Sequence, residues 1–432
     1  MTDKKTGGKK LAGLLRSRSF LPLFAAMFLG AFNDNFFRSA MAMLITYRLA
    51  DETGGDARVI VTLASGVFIL PFVLFSAIAG QLADKYERAG IARCTKLAEI
   101  AVMAGAVAAF YSGSVRFLMT ILFLMGAQSA FFGPIKYSIL PQCLKADELV
   151  GANALIETGT FLSILLGTIA GGVFVMGEGG VSSVSFLVVF IAAAGWAASL
   201  FIPRTRVVRP SLKLRFGIFG ETAALVKKVI ARREAAFPIF GISWFYAVGG
   251  IFTSQFPGYA KTVLGADSNV ATLMLAVFSF GIGAGSIACS HLLKGEISAR
   301  YTPLAAVAIS ALSLLLAALS AWRPAESGDL LTIWRFLLSP LNSVILLCLF
   351  GISFFGGIYI VPLYAVMQNS SSERDLAGVT ACSNVMDAFF MAASAAAAAL
   401  LLAAGLRIPS IFSIMAVLNL AAAKLLRGGI KV

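Results

Sequence analysis

A run of about 20 apolar residues recurs along the whole chain, and it constrains the fold more than any other feature. A helix rising about 1.5 Å per residue needs about 20 such residues to cross a hydrocarbon layer. Twelve candidate spans of this kind fall at 20–47, 58–80, 93–112, 115–137, 150–175, 183–202, 236–260, 268–292, 302–320, 338–364, 376–402 and 408–427. A further apolar patch at 323–336 reads as a loop. Hydrophobic residues make up 59% of the chain and charged residues only 13%, whereas a soluble domain carries about 25% charged residues. That charge is too little to cover a water-facing surface, so the sequence predicts an all-α integral membrane protein.

The distribution of charge gives an orientation. The net charge is +14, but Lys and Arg sit in short loops between apolar runs. This is the positive-inside pattern, not a nucleic-acid-binding stripe. With both termini in the cytoplasm, the inside segments hold 25 basic residues. The outside loops and span ends hold seven, namely Arg48, Arg58, Arg116, Lys261, Arg323, Arg335 and Arg407. Arg38, Lys96 and Lys136 lie within spans. The chain therefore divides into a basic cytoplasmic N-terminus (1–19), a six-span half (20–202), a basic cytoplasmic linker (203–235) and a second six-span half (236–432). The basic start has no small-residue cleavage signal after it, so the first span reads as a retained helix. Five scattered Cys without CxxC spacing argue against a disulfide framework or zinc site, and the single His argues against a His-based metal site. No cofactor is expected.

Two six-span halves joined by a basic loop resemble the plan of the major facilitator superfamily, whose halves are parallel repeats. The fold expected is therefore the major facilitator fold, with 12 transmembrane helices in two halves. A weak internal repeat agrees. Leu149-Val150-Gly151 resembles Leu376-Ala377-Gly378, and in that register Tyr137 meets Tyr364 and Glu157 meets Asn384.

Inside this apolar frame, polar residues mark candidate sites. Asp34 lies mid-span between Asn33 and Asn35, one helical turn before Arg38. A carboxylate at that depth costs roughly 2.5–3.5 kcal/mol even on lenient insertion scales, so it is expected to face a polar cavity. Arg38 is positioned to pair with it. Lys136 follows Gly133-Pro134 late in span four. Asn153, Glu157 and Thr160 share a face of span five, and Thr380, Asn384 and Asp387 share a face of span eleven. Lys96 with Glu99 reads as a structural pair near the cytoplasmic end of span three. His291 reads as an interfacial residue. The small residues of span five, from Gly159 to Gly172, form a flat face for helix packing.

After span two, Gly80-Gln81-Leu82-Ala83-Asp84-Lys85-Tyr86-Glu87-Arg88 resembles the superfamily's loop motif G-x-L-a-D-[RK]. Gly80 permits close helix approach, and Asp84 near a helix N-terminus can pair with a basic residue to latch the halves. Gly80, Asp84, Lys85 and Arg88 are the candidate cytoplasmic gate.

Four further segments narrow the resemblance. Gly30-Ala31-Phe32-Asn33-Asp34-Asn35, Gly133-Pro134-Ile135-Lys136-Tyr137-Ser138-Ile139-Leu140, Ala152-Asn153-Ala154-Leu155-Ile156-Glu157 and Gly356-Gly357-Ile358-Tyr359-Ile360-Val361-Pro362-Leu363 are similar to the bacterial lysophospholipid transporters. The resemblance implies a flippase of the bacterial inner membrane. It would move lysophosphatidylethanolamine and lysophosphatidylglycerol from the outer to the inner leaflet, where an acyltransferase–synthetase, in trans or fused, reacylates them. It also implies headgroup roles for Asp34 and Lys136. In span seven the chain departs from the pattern: family members can carry a basic residue midway, where this sequence has Gly249-Gly250-Ile251-Phe252-Thr253-Ser254-Gln255. The wording there and around Asn33 is closer to relatives fused to acyltransferase domains, so a chain ending at Val432 reads as a standalone form or an excised transporter portion.

The residues alone fit a zwitterionic or anionic lipid. Asp34 suits an ammonium, Lys136 or Arg38 a phosphate, and a Phe-rich wall one acyl chain. A proton-coupled small-solute or drug exporter using Asp34 or Glu157 is the rival reading. A membrane acyltransferase would want His-x4-Asp, and the single His instead leads to Glu296. A structural scaffold would leave the buried charges without a purpose.

Overall fold

The computed structural model describes residues 11–47, 57–321 and 330–429. The first ten residues of the basic N-terminus, Arg48 and Arg323 lie outside the described residues, as does the side chain of Arg58.

Twelve long helices account for most of the described chain. The first half comprises α1 (Leu21–Tyr47), α2 (Ala57–Lys85), α3 (Arg88–Ser112), α4 (Val115–Ser138), α5 (Leu149–Met176) and α6 (Gly180–Leu200). The second comprises α7 (Arg233–Thr262), α8 (Ser268–Leu293), α9 (Thr302–Ala321), α10 (Pro340–Ser370), α11 (Leu376–Ala403) and α12 (Ile408–Gly429). Among the described helices, 11 are long and apolar enough to cross a membrane. The twelfth, α1, has the length at 27 residues. Its Asn33-Asp34-Asn35 run and Arg38 lower its apolar content, and it is carried by packing against α5 and α6.

Two departures from the sequence reading concern the connections. The patch at 323–336 is not wholly loop: a short helix, Ile333–Leu338, occupies its end and exposes Trp334 and Leu338. The basic linker holds a 13-residue amphipathic helix, Ile218–Ile230, with acidic Glu221 in its first turn and Lys227 and Lys228 in its last. That arrangement complements the helix dipole. The linker helix rests on α2 and α11.

Packing repeats between the halves. α1 meets α5 as α7 meets α11; α2 meets α4 as α8 meets α10; α3 meets α6 as α9 meets α12. Across the interface α2 contacts α11, and α5 contacts α8. The small residues of α5 act as packing, as their spacing suggested. A Cβ at Gly159 would strike the Phe24 ring, and one at Gly167 or Gly171 would strike the backbone of α1 near Phe32 or Phe36. At Gly80 an added Cβ would lie 2.8 Å from the Cβ of Ala381 and 3.3 Å from the Ala377 carbonyl, so α2 and α11 touch there through bare backbone.

Candidate functional site

A cavity of about 330 Å³ lies between the halves, at the small end of the range of about 300–1,000 Å³ for ligand sites. At about 1.5 Å per residue, Asp34 is about 20 Å along α1, near mid-depth. Asp34, Asn35 and Arg38 all line the cavity from α1. The Asp34 carboxylate accepts one hydrogen bond through Oδ2, from Ser129 Oγ at 2.8 Å. Asn35 turns its amide back onto the Ala31 carbonyl of its own helix at 2.7 Å. Arg38 does not close an ion pair with Asp34 within 4 Å; its guanidinium lies over the Phe68 ring, 4.7 Å from the centroid. Such stacking keeps a cation in an apolar wall without a counter-ion.

Lys136 lines the cavity from α4. It donates to Thr160 Oγ1 at 3.3 Å and sits 4.9 Å from the Tyr137 ring centroid. From α11 come Asn384 and Asp387. Asp387 is engaged on both oxygens, accepting from Ser243 at 2.6 Å and more weakly from Ser383 at 3.5 Å. Phe68, Ile69 and Phe72 of α2, Ile164 of α5 and Met391 of α11 supply the apolar wall.

Three residues assigned to the site by sequence lie behind its wall. Asn33 is fully buried and donates to Glu99 Oε1 (3.1 Å) and to the Val188 carbonyl (3.2 Å). Glu157 is fully buried and accepts from Tyr137 Oη at 2.7 Å, so it steadies a wall residue without reaching the cavity. Asn153 exchanges hydrogen bonds with Gln368 of the other half, at 2.8 and 3.1 Å. Of the face shared by Asn153, Glu157 and Thr160, only Thr160 lines the cavity; the other two meet a neighbouring helix first.

The cavity is closed on the side of the linker by successive layers. Tyr137 and Tyr364 stack with ring centroids 4.0 Å apart and planes 14° from parallel, and the Tyr364 hydroxyl hydrogen-bonds that of Tyr246 at 3.0 Å. Repeat mates can touch only on the pseudo-twofold axis, so this stack marks where the axis passes. Each helix carries a proline just ahead of its tyrosine, Pro134 in α4 and Pro362 in α10. Each such proline removes one rung of the helix ladder and permits bending. The Asn153–Gln368 pair forms the layer beneath.

The outermost layer holds the candidate latch residues. Arg88 is fully buried and donates to the carbonyls of Ser138 (2.7 Å) and, in the other half, Glu373 (3.2 Å), while lying 3.7 Å from Asp84. Arg209 of the linker reaches both Asp84 (3.9 Å) and Asp375 (3.0 Å), and Arg232 also pairs with Asp375 (3.1 Å). Burial alone would raise the Asp375 carboxyl. The Ser372 hydroxyl and the Arg232 and Arg209 guanidinium groups outweigh that and hold it below the usual carboxylate range. Lys85 takes no part in the latch; its ammonium lies over the Tyr86 ring. Sequence reasoning placed Gly80, Asp84 and Arg88 but not Arg209, Glu373 or Asp375, because their loops carry no periodic signal. Tyr364 was visible only through the repeat register. Nothing in the sequence singled out Tyr246, Gln128 or Ser129 for the cavity.

Comparison with known proteins agrees with this architecture. Residues 23–339 match the family model of the Major Facilitator Superfamily. The chain is 29% identical over 371 residues to the lysophospholipid transporter LplT of Cronobacter sakazakii, covering 85% of this chain and 84% of the relative. It is 28% identical over 366 residues to the protein of that name from an Enterobacter species, covering 84% and 83%. Among solved structures, the human organic anion transporter MFSD10 superposes with a TM-score of 0.71 at 15% identity, covering 94% of this chain and 99% of that one. The E. coli fucose:proton symporter FucP superposes with a TM-score of 0.69 at 14% identity, covering 95% and 98%. At those identities the structural likeness establishes the fold alone.

Proposed function

We propose that this chain, which belongs to the Major Facilitator Superfamily, is a lysophospholipid transporter. It moves lysophosphatidylethanolamine or lysophosphatidylglycerol from the outer to the inner leaflet of a bacterial inner membrane. The observation that carries the reading is the make-up of the central cavity. A carboxylate with one oxygen left free of hydrogen bonds (Asp34) and two cations not locked in ion pairs (Arg38 and Lys136) share it with a Phe- and Ile-lined wall. A zwitterionic headgroup with one acyl chain matches both surfaces. The ammonium is held at Asp34 and the phosphate at Lys136 or Arg38, by charge-assisted hydrogen bonds. The space is small for a whole lysolipid, so the acyl chain runs out along the apolar wall. Similarity to curated lysophospholipid transporters over more than four-fifths of the chain supports the same reading.

In this reading the linker end is cytoplasmic, with both termini on that side, and the described conformation is closed there. Transport requires the tyrosine stack, the Asn153–Gln368 pair and the latch to part while the far end closes, by rocking of the halves around the cavity. The product released inside is the substrate of an acyltransferase–synthetase. The test is uptake of radiolabelled lysophosphatidylethanolamine by spheroplasts lacking their own transporter, with and without this chain. Chain-dependent uptake is expected. Its absence with protein folded and inserted would overturn the reading and favour a small-solute transporter, for which Asp34 or the buried Glu157 would be the proton-carrying candidate. An uncoupler added to the same assay reports on coupling.

A further inference from the structure

Sequence reasoning treated Lys96 and Glu99 as a structural pair, and the structure shows more than a pair. Lys96 is 2% exposed yet borders the central cavity, its ammonium 5.0 Å from the Phe132 ring centroid. It spends one of its three N–H donors, on Glu99 Oε2 at 2.7 Å. Glu99, by contrast, is engaged on both oxygens. It accepts from Asn33 at 3.1 Å, from Lys96, and from Gln128 at 3.3 Å, while Gln128 also donates to the Thr95 carbonyl at 3.2 Å. The carboxylate is thus fixed by two neutral donors besides the lysine.

The opposite helix is cut back to admit the ammonium. A Cβ at Gly30 would overlap Lys96 Nζ, so α1 gives it a recess one helical turn before Asp34. The two sites also meet at Ser129, whose single hydroxyl proton lies between Asp34 Oδ2 (2.8 Å) and Gln128 Oε1 (3.2 Å). A buried ion pair whose only duty is cohesion is replaceable by apolar packing at little cost. This one sits beside the cavity with donors to spare.

We propose that Lys96 is an anion-binding residue of the cavity that takes the phosphate of the transported headgroup, with Glu99 and Gly30 as positioning residues. The inference rests on the lysophospholipid reading above. Phosphate at Lys96 places the ammonium of the same headgroup within reach of Asp34, so the two residues together read the zwitterion. Lys136 and Arg38 then serve as alternative or later stations for the same phosphate.

The test compares initial uptake of lysophosphatidylethanolamine and lysophosphatidylglycerol by wild type, Lys96→Met, Glu99→Gln and the double variant Lys96→Met/Glu99→Gln, each normalised to folded protein in the membrane. Wild-type uptake validates the underlying reading independently of any variant. The single Lys96→Met strands a buried carboxylate, so its failure alone would not discriminate; the double variant removes both charges. A charge-assisted contact predicts about a tenfold or greater loss in both Lys96 variants, and a loss of only about threefold in Glu99→Gln, where the lysine stays charged. Recovery of the double variant to within about twofold of wild type would overturn the proposal, because it would show that Lys96 exists to neutralise Glu99. Should the double variant fail to reach the membrane, Gly30→Ala decides. It displaces the ammonium without changing any charge, and a loss of about tenfold supports the proposal whereas unchanged uptake overturns it.

Discussion

The two halves present unlike faces to one cavity. The first half contributes Asp34, Arg38, Lys96 and Lys136; the second contributes Tyr246, Tyr364, Asn384 and Asp387. In the repeat register Lys136 corresponds to Leu363, Glu157 to Asn384 and Thr160 to Asp387, while Tyr137 corresponds to Tyr364. Backbone architecture is shared, and charge is not. The carboxylates differ in the same sense. Asp34 is bonded through one oxygen and keeps the other free of hydrogen bonds, whereas Asp387 is bonded on both oxygens by its own half. On the proposed function, this is a division of labour, in which the first half would hold the cargo's charges and the second shape and close the space.

This asymmetry can be broken by substitution. Asp34→Ala is expected to remove lysolipid uptake, a loss of about a hundredfold, the upper end of what a charged hydrogen bond contributes, with expression unchanged. Asp387→Asn, measured in the same assay, is expected to cost only about three- to tenfold. The reverse order would place the headgroup on the second half.

Gly80→Leu tests closure instead of recognition. It puts a side chain where α2 and α11 touch, so the linker end cannot shut. Spin labels at Lys85 and Arg374 should report a longer distance and uptake should fall by about tenfold, the scale of a shifted two-state equilibrium. An unchanged distance would show that the helices touch here without gating.

The latch makes a smaller, pH-dependent contribution. Asp375 titrates below the ordinary carboxylate range. Its contribution is therefore fully present above the ordinary carboxylate pKa of about 3.9 and is lost only as pH falls through the depressed value. In an Asp84→Asn background, which removes the other carboxylate paired with Arg209, the distance between the same labels should stay constant from about pH 8 to pH 5 and lengthen only in stronger acid. Lengthening near neutrality would remove Asp375 from the latch. The smallest effect is assigned to Lys85→Ala, with uptake within about twofold of wild type, because its ammonium lies over Tyr86 and outside the latch.

Most of the frame was legible in the sequence, for physical reasons. Membrane-length apolar runs leave little choice of secondary structure, and a mid-span carboxylate as costly as Asp34 has few places to go but a cavity. Glu157 and Asn153 show the limit. Helical periodicity tells which residues share a face, not which neighbour that face meets, and theirs meets Tyr137 and Gln368. Lys96 shows a second limit. Its position in span three suggested the interface, but its long side chain reaches the cavity because a residue 66 positions away, Gly30, lacks a Cβ. Arg209 and Asp375 show a third, since a linker's path over the surface follows from three-dimensional contacts that no repeat announces.

The tyrosine stack has an evolutionary consequence. If the halves descend from one duplicated six-helix unit, Tyr137 and Tyr364 were once the same residue facing its own copy across a dimer. A ring lying flat on its twin is self-complementary, so such a closure would have needed no second mutation to find its partner. Positions on the symmetry axis then diverge least, because each change must still fit its former self. The charged cavity wall, lying off the axis, was free to specialise on one side alone.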